Sequence, residues 1–176
     1  PIAEAAELAR ERRIVFHTDA VQTFGRVPID VESLGVDLLS ISGHKIYGPK
    51  GIGALYIRPG TRIAPQMHGG QQERGFRAGT ANVAAAVGMA CAAKLALESM
   101  QTECHRLKML RDRLEAGILH RITGTRRNGY RDRRLPNTSN ISFQGAREDS
   151  LMVALDLEGV EVSAGAACAS GSLESS

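Results

Sequence analysis

The sequence has few cysteines and no segment that reads as a membrane span. The spacing of Cys91, Cys104 and Cys168 does not fit a metal site, and their odd number argues against a secreted disulfide framework. We therefore expect a reducing, cytoplasmic setting. No apolar run approaches membrane-spanning length and no basic-then-apolar leader opens the chain, so we expect no membrane partner.

The charge and the size of the chain narrow its class further. A formal net charge of +3 is too mild to indicate nucleic-acid binding, and 43% hydrophobic content over 176 residues is enough for a sizeable core. Pro1 lies directly inside a helical pattern, and the chain stops at Ser176 with no terminating element. We therefore expect a piece of a longer protein.

Alternating helices and short apolar strands predict an α/β layer with some parallel pairing. A helix over residues 1–12 precedes a strand over 13–19, a short helix near 30–34, a strand ending at 40–42 and a strand over 53–58. The stretch 59–80 is too long for an ordinary loop and is predicted to be functional or disordered. A largely helical region then runs to about residue 122, with a break expected near Thr102.

The last third of the chain predicts a smaller α+β domain. A strand over 138–143, a helix over 148–157, a turn at Gly159 and a strand over 160–163 follow the long helical region. The long helical region has an apolar stripe that is expected to pack in the core. The stripe consists of Leu107, Leu110, Leu114 and Ile118. The arginine-rich turn 124–134 is expected to be a solvated hairpin loop.

Lys45 is the first candidate for chemistry. It follows a buried strand over 36–41 and precedes a turn over 48–51 that also contains Lys50. A lysine with small neighbours at a strand tip is well placed to form a Schiff base with a carbonyl cofactor, whereas a lysine taken alone is more simply a solvated loop residue. Asp19 ends a nearby strand, and active sites of open α/β sheets collect at the carboxyl ends of strands.

A pyridoxal phosphate enzyme needs a carboxylate at the ring nitrogen, a lysine for the aldehyde, and donors for the phosphate and the ring hydroxyl. Asp19, Lys45 and Gln22, with Ser42 and His44, could fill these roles. Each also has a plainer interpretation: Asp19 can cap a turn, and Gln22 can be an ordinary polar loop residue. The set as a whole favours the cofactor hypothesis.

The remaining candidates are thiols and one histidine. Cys168 lies among Ala, Gly and Ser over residues 163–172, which predicts a mobile segment with a reachable sulfur. Cys91 is expected to be buried and inert on a helix, and Cys104 has no comparable setting. His17 is expected to be a core histidine bonded to the backbone.

Four stretches resemble the NifS/IscS-type cysteine desulfurases: residues 17–22, 42–56, 68–80 and 163–175. They follow the family's order and spacing over almost the whole chain, which is far more specific than a lone glycine signature. The resemblance implies an aminotransferase class V protein of PLP-dependent fold type I, of which this chain is the carboxyl-side part. Residues 1–100 would then be the C-terminal part of the large cofactor-binding domain and 101–176 most of the small domain.

The resemblance also implies the activity and the site. The family is homodimeric and converts L-cysteine to L-alanine, leaving an enzyme persulfide that supplies iron–sulfur cluster assembly or another sulfur acceptor protein. Carried onto matching positions, it gives Lys45 as the residue holding pyridoxal 5′-phosphate and Cys168 as the nucleophile that takes the sulfur. The other implied contacts are Asp19 to the ring nitrogen, Gln22 to the ring oxygen, Ser42 and His44 to the phosphate, and Thr80 to the phosphate of the neighbouring subunit.

Two departures and two alternatives accompany this interpretation. The family's amino-terminal segment with its ring-stacking histidine is not in this chain, and its substrate-binding arginine lies beyond residue 176, so we expect the piece alone to be inactive. A selenocysteine lyase or a plain class V aminotransferase is one alternative. A non-enzymatic sulfur-relay or scaffold-binding module that uses the arginines of residues 126–134 is the other.

Overall fold

The computed structural model describes residues 1–163. The helices are α1 (Ile2–Glu11), α2 (Val31–Leu34), α3 (Val83–Arg121) and α4 (Glu148–Leu157), and the strands are β1 (His17–Asp19), β2 (Leu38–Ser42), β3 (Gly53–Ile57), β4 (Thr125–Arg127) and β5 (Ile141–Phe143). Two short 3₁₀ turns cover Gly43–Ile46 and Gln72–Gly75. The chain divides into two compact units. The first is Pro1–Met109 with Leu135–Asn137, and the second is Leu110–Arg134 with the residues from Thr138 onward.

The first unit is built on the sheet β1–β2–β3. Strand β1 runs parallel to β2 with Asp19 opposite Ser40, and β2 runs antiparallel to β3 with Ser42 opposite Gly53. The predicted parallel pairing is therefore confirmed in a mixed sheet. A small buried cluster packs Leu39 of β2 together with Ala6, Ala20 and Val36.

Local chemistry fixes the short helix α2 between β1 and β2. The Asp30 carboxylate caps its first turn by accepting from the backbone N–H groups of Glu32 and Ser33, at 3.0 and 3.4 Å. Gly35 ends it in the left-handed region, with φ of +67°. The Arg58 guanidinium then donates to the carbonyls of Val31 and Val36, both at 3.0 Å, and so ties the end of β3 to α2.

In the second unit, β4 and β5 form an antiparallel pair with Thr125 opposite Phe143. Helix α4 follows, and its bounds agree with the predicted helix over 148–157. The division between units falls inside α3, after Met109. The sequence-based boundary at residue 100 stays a prediction.

Three predicted elements differ from the structure. Strand β1 begins only at His17, because Arg13 takes a left-handed φ of +56° and Ile14 and Val15 stay exposed. Residues 160–163 follow the turn at Gly159 without forming a strand. Helix α3 passes Thr102 unbroken, because good helix formers surround this one weaker residue.

Helix α3 also differs in what it buries. Leu110 and Leu114 are 50% and 56% exposed, so the predicted apolar core stripe is wrong at these positions, whereas Arg111 and Glu115 are buried. The expectation of no membrane-length apolar run was too strict as well. By length and composition alone α3 could cross a membrane, with a mean hydropathy of 1.5 over 18 residues, but core helices of water-soluble proteins meet the same test.

Candidate functional site

The candidate site lies at the carboxyl edge of the parallel strands β1 and β2. Asp19 is the last residue of β1 and is paired with Ser40, and β2 ends two residues later at Ser42. Parallel strands end at the same edge of a sheet, so the register brings the ends of both strands together. The structure therefore gathers at one edge the two chain segments that the sequence analysis selected.

His17 belongs to this edge rather than to the core. It is exposed on the face of β1 that also carries Asp19, and its Nε2 lies 2.7 Å from the Ser40 hydroxyl oxygen. The prediction of a core histidine is wrong, because strand alternation sends residue 17 to the open face while Ala20 and Leu39 are buried. This side-chain hydrogen bond links β1 to β2 across the site.

The Asp19 carboxylate is oriented by the turn that follows β1. Its Oδ1 accepts a hydrogen bond from the Val21 backbone N–H at 2.8 Å, which is an Asx-type arrangement. The capping interpretation of Asp19 is thus correct for one oxygen, and it is compatible with a ligand contact by the other. Gln22 is exposed in the same turn.

Lys45 lies in the 3₁₀ turn Gly43–Ile46 that directly follows β2. The Ser42 hydroxyl and His44 Nδ1 are 2.8 Å apart, so these two side chains form one polar group beside it. Lys45 is half-buried, and its carbonyl accepts from the Arg26 guanidinium at 3.4 Å. Lys50, by contrast, is exposed in the next turn.

Close packing explains the glycines around Lys45. A Cβ on Gly43 would lie 2.8 Å from Ile52 Cγ2 and 3.0 Å from the Pro49 carbonyl oxygen. The Gly48 backbone N–H closes the turn by donating to the Gly43 carbonyl at 2.9 Å. The absence of a side chain at position 43 therefore lets Ile52 and Pro49 pack closely against the turn that carries Lys45.

Thr80, another predicted site residue, is not joined to this set. Thr80 is exposed at the end of the loop over residues 59–80, and within residues 1–163 no hydrogen bond connects it to Asp19, Ser42 or Lys45. Cys168 lies outside the described residues. The structure thus brings together Asp19 and the segment of Ser42, His44 and Lys45, with Gln22 nearby in sequence.

Comparison with known proteins identifies the family. The aminotransferase class-V family model matches residues 1–175. The chain belongs to the aminotransferase class-V family. It is 55% identical over its full length to the cysteine desulfurase IscS of Dictyoglomus turgidum, and 48% identical to the cysteine desulfurase NifS of Azotobacter vinelandii.

The chain is a part of what these relatives contain. It covers 45% of the Dictyoglomus protein and 44% of the Azotobacter protein, so it spans about half the length of the curated relatives it matches. A crystal structure of a NifS-like protein from Rickettsia africae superposes with a TM-score of 0.87 at 34% identity, over 99% of this chain and 49% of that one. The predicted α/β architecture of PLP-dependent fold type I is confirmed.

The structure describes the two other cysteines of this class-V chain. Cys91 is exposed on α3, so the prediction that it is buried is wrong. Cys104 is half-buried, its thiol donates to the Arg26 carbonyl at 2.9 Å, and burial raises its pKa. Among residues 1–163 no three His, Cys, Asp or Glu side chains are grouped to hold a metal ion.

The second unit of the class-V chain contains a buried charge cluster that no sequence pattern predicted. Both oxygens of the Glu115 carboxylate accept from the Arg134 guanidinium, and the Ser139 hydroxyl donates to it at 2.8 Å. Arg127 approaches the same carboxylate to 3.6 Å. Arg134 is the largest of the causes that lower the pKa of Glu115 to about 2. The predicted solvated loop over 124–134 is therefore wrong for Arg127 and Arg134.

Proposed function

We propose that the protein containing this chain is a pyridoxal phosphate-dependent cysteine desulfurase that converts L-cysteine to L-alanine. The observation that carries the proposal is the position of Lys45, immediately after β2 at the edge where Asp19 ends the parallel strand β1. The chain is 55% and 48% identical to two named cysteine desulfurases, and it covers 45% and 44% of their lengths. Active sites of open α/β sheets lie at such an edge.

The donor set at this edge suits pyridoxal phosphate. The cofactor offers an aldehyde, a ring nitrogen, a ring hydroxyl and a phosphate. This chain has a carboxylate at the end of β1, a lysine amine and a hydroxyl–imidazole pair at the end of β2, and an amide in the turn after β1. When bound, the cofactor supplies an electron sink for negative charge at the substrate α-carbon. Lys45 would hold its aldehyde, and Ser42 and His44 its phosphate.

Asp19 and Gln22 would set the electronic state of the ring. The Asp19 carboxylate is already fixed through Oδ1 by the Val21 N–H, which leaves Oδ2 to hold a proton on the ring nitrogen. Gln22, exposed in the turn after β1, would donate its amide to the ring oxygen. Both contacts come from one turn, so a change in that turn would affect both.

Lys45 and Cys168 would carry out the bond changes on the substrate. Once released, the Lys45 amine would accept the proton from the substrate α-carbon. The Cys168 thiolate would attack the substrate sulfur, so that a sulfur–sulfur bond forms on Cys168 while the substrate carbon–sulfur bond breaks. The electron pair of the broken bond would stay with the substrate carbon, which takes up a proton and becomes the methyl group of alanine. The resulting persulfide is a reversible state that an acceptor thiol can collect.

We further propose a cytoplasmic homodimer in which Thr80 contacts the phosphate bound by the neighbouring subunit. The partner that receives the sulfur would be an iron–sulfur scaffold or another acceptor protein, with no direct role for nucleic acid or membrane. Only the longer protein is expected to be active, since this chain spans about half of its relatives.

The test is product analysis with the full-length protein, L-cysteine and a dithiol reductant. We expect equal amounts of alanine and sulfide from the wild type, and neither product above background from Cys168→Ser or Lys45→Ala. Lys50→Ala is the matched control and should keep full turnover, because Lys50 is exposed away from the strand tip. Alanine formation retained in Cys168→Ser would contradict the proposed nucleophile, and a keto acid product would indicate an aminotransferase.

A further inference from the structure

The loop that ends at Thr80 is closed by one of its own side chains, that of Gln72. Gln72 Oε1 accepts a hydrogen bond from the Gly79 backbone N–H at 3.2 Å. A second link joins the Ala78 N–H to the Met67 carbonyl at 3.4 Å, and Ala78 is 6% exposed. The loop therefore returns on itself just before Thr80.

Two glycines make room for this closure. An added Cβ on Gly70 would lie 2.5 Å from Gln72 Oε1, so the amide lies directly over that glycine. Gly79 has φ of +103°, a conformation that residues with a Cβ rarely adopt. The contact thus depends on residue types at three separate positions of the loop.

The turn that carries Gln72 is strained. Glu73 and Arg74 both have a left-handed backbone, with φ of +49° and +57°, although neither is a glycine. Such conformations persist where the surrounding contacts hold them, and they cluster at functional sites. The Gln72 side chain bonds across the loop from the start of this turn, so it holds the strained backbone against Gly79.

We propose that Gln72 is a positioning residue for Thr80. Its bond fixes the Gly79 amide, and glycine without that bond has the widest backbone freedom of any residue. Because Gly79 directly precedes Thr80, a fixed Gly79 amide narrows the backbone positions open to Thr80, and with them the direction of its hydroxyl. The inference rests on the proposed function, in which Thr80 contacts the phosphate held by the neighbouring subunit.

The test compares Gln72→Met with Gln71→Met in the full-length protein. Methionine keeps the length of the side chain and removes the amide, and Gln71 is the exposed neighbouring glutamine that does not bond Gly79. Hydrogen exchange should show the Gly79 amide losing protection in Gln72→Met alone. Dissociation constants are then measured for pyridoxal phosphate and for pyridoxal, which lacks the phosphate. Both are measured in a Lys45→Ala background, which prevents covalent attachment of either ligand.

We expect Gln72→Met to weaken pyridoxal phosphate binding about three- to tenfold, the value of one hydrogen bond, while pyridoxal binding and Gln71→Met stay unchanged. In a Thr80→Val background, Gln72→Met should add almost nothing. Two results would overturn the inference and leave the role of Thr80 intact. One is an equal loss of affinity for both ligands in Gln72→Met, and the other is additive losses of affinity when Gln72→Met and Thr80→Val are combined. A Thr80→Val variant with unchanged phosphate binding would instead remove Thr80 from the proposed site and the inference with it.

Discussion

Replacing Glu115 by glutamine should destabilise the second unit strongly. The Glu115 side chain is 3% exposed and Arg134 is 12% exposed, so the pair is shielded from water. Glutamine keeps the shape and one acceptor oxygen but removes the charge. Arg134 would then lose its closest anion and keep the more distant Asp112 carboxylate at 3.9 Å, and Arg127 would lose its partner at 3.6 Å.

The size of the effect follows from the titration of the carboxylate. Lowering the pKa of Glu115 from 4.5 to about 2 corresponds to ~3 kcal/mol of preferential stabilisation of the charged form in the folded state. Removing one partner of a buried ion pair costs about 3–5 kcal/mol in other proteins. We therefore expect Glu115→Gln to lower the local free energy of unfolding by roughly 3 kcal/mol.

The same cluster makes a pH dependence with a definite sign. The pKa of Glu115 is lower in the folded than in the unfolded state, so the stabilisation is fully present above pH 4.5. It should decrease as the pH falls from about 4.5 towards 2, and it should be absent from the Glu115→Gln variant. Above pH 5 the difference in free energy of unfolding between the wild type and Glu115→Gln should not change with pH.

Native-state hydrogen exchange of the full-length protein measures the local free energy of unfolding around the β4–β5 pair. The reporters are the amides of Asn128 and Gln144, which donate to Asn140 and Gly124 around the β4–β5 pair. Glu103→Gln is the matched control, because its ion pair with Arg106 is about half exposed and should contribute little. A Glu115→Gln effect no larger than that of Glu103→Gln would refute the reasoning.

Two further predictions concern packing and reactivity. Gly43→Ala should lower the free energy of unfolding in urea by about 1–3 kcal/mol, because the added Cβ would press on Ile52. Gly117→Ala is the control, since it has open space on α3 and should raise the free energy of unfolding by about 0.5–1 kcal/mol. Equal effects of the two substitutions would contradict the packing argument. Cys91 should react with a maleimide faster than Cys104 at pH 7, since Cys104 is half-buried and its pKa is raised. Peptide mass spectrometry after timed labelling measures both rates, and faster labelling of Cys104 would contradict this prediction.

The sequence was sufficient for the elements whose signals are local. Helix α4 ends where the apolar periodicity ends, and the glycines at 43, 48 and 51 mark the sharp turns around Lys45. The ends of β1 and β2 could be brought together because parallel strands share a carboxyl edge. These inferences need only neighbouring residues and the rules of sheet topology.

The failures concern properties that depend on distant parts of the chain. Glu115 meets Arg134 and Ser139, which are 19 and 24 residues away, so no local pattern indicates that a carboxylate is buried there. The sequence predicts a core histidine at His17, but strand alternation places it on the open face with Asp19, where its partner is Ser40, 23 residues away. The only local hint of the charge cluster is the group of arginines over 126–134, which is common in solvated loops as well.

The attachment of the cofactor to Lys45 tests the account most directly. The full-length protein would be loaded with pyridoxal phosphate, reduced with borohydride and digested, and the modified peptide identified by mass spectrometry. We predict one cofactor per chain on Lys45 and none on Lys50, with no labelling of Lys45→Ala and unchanged labelling of Lys50→Ala. Cofactor fixed on Lys50, or a Lys45→Ala variant that is still labelled stoichiometrically, would contradict the central claim.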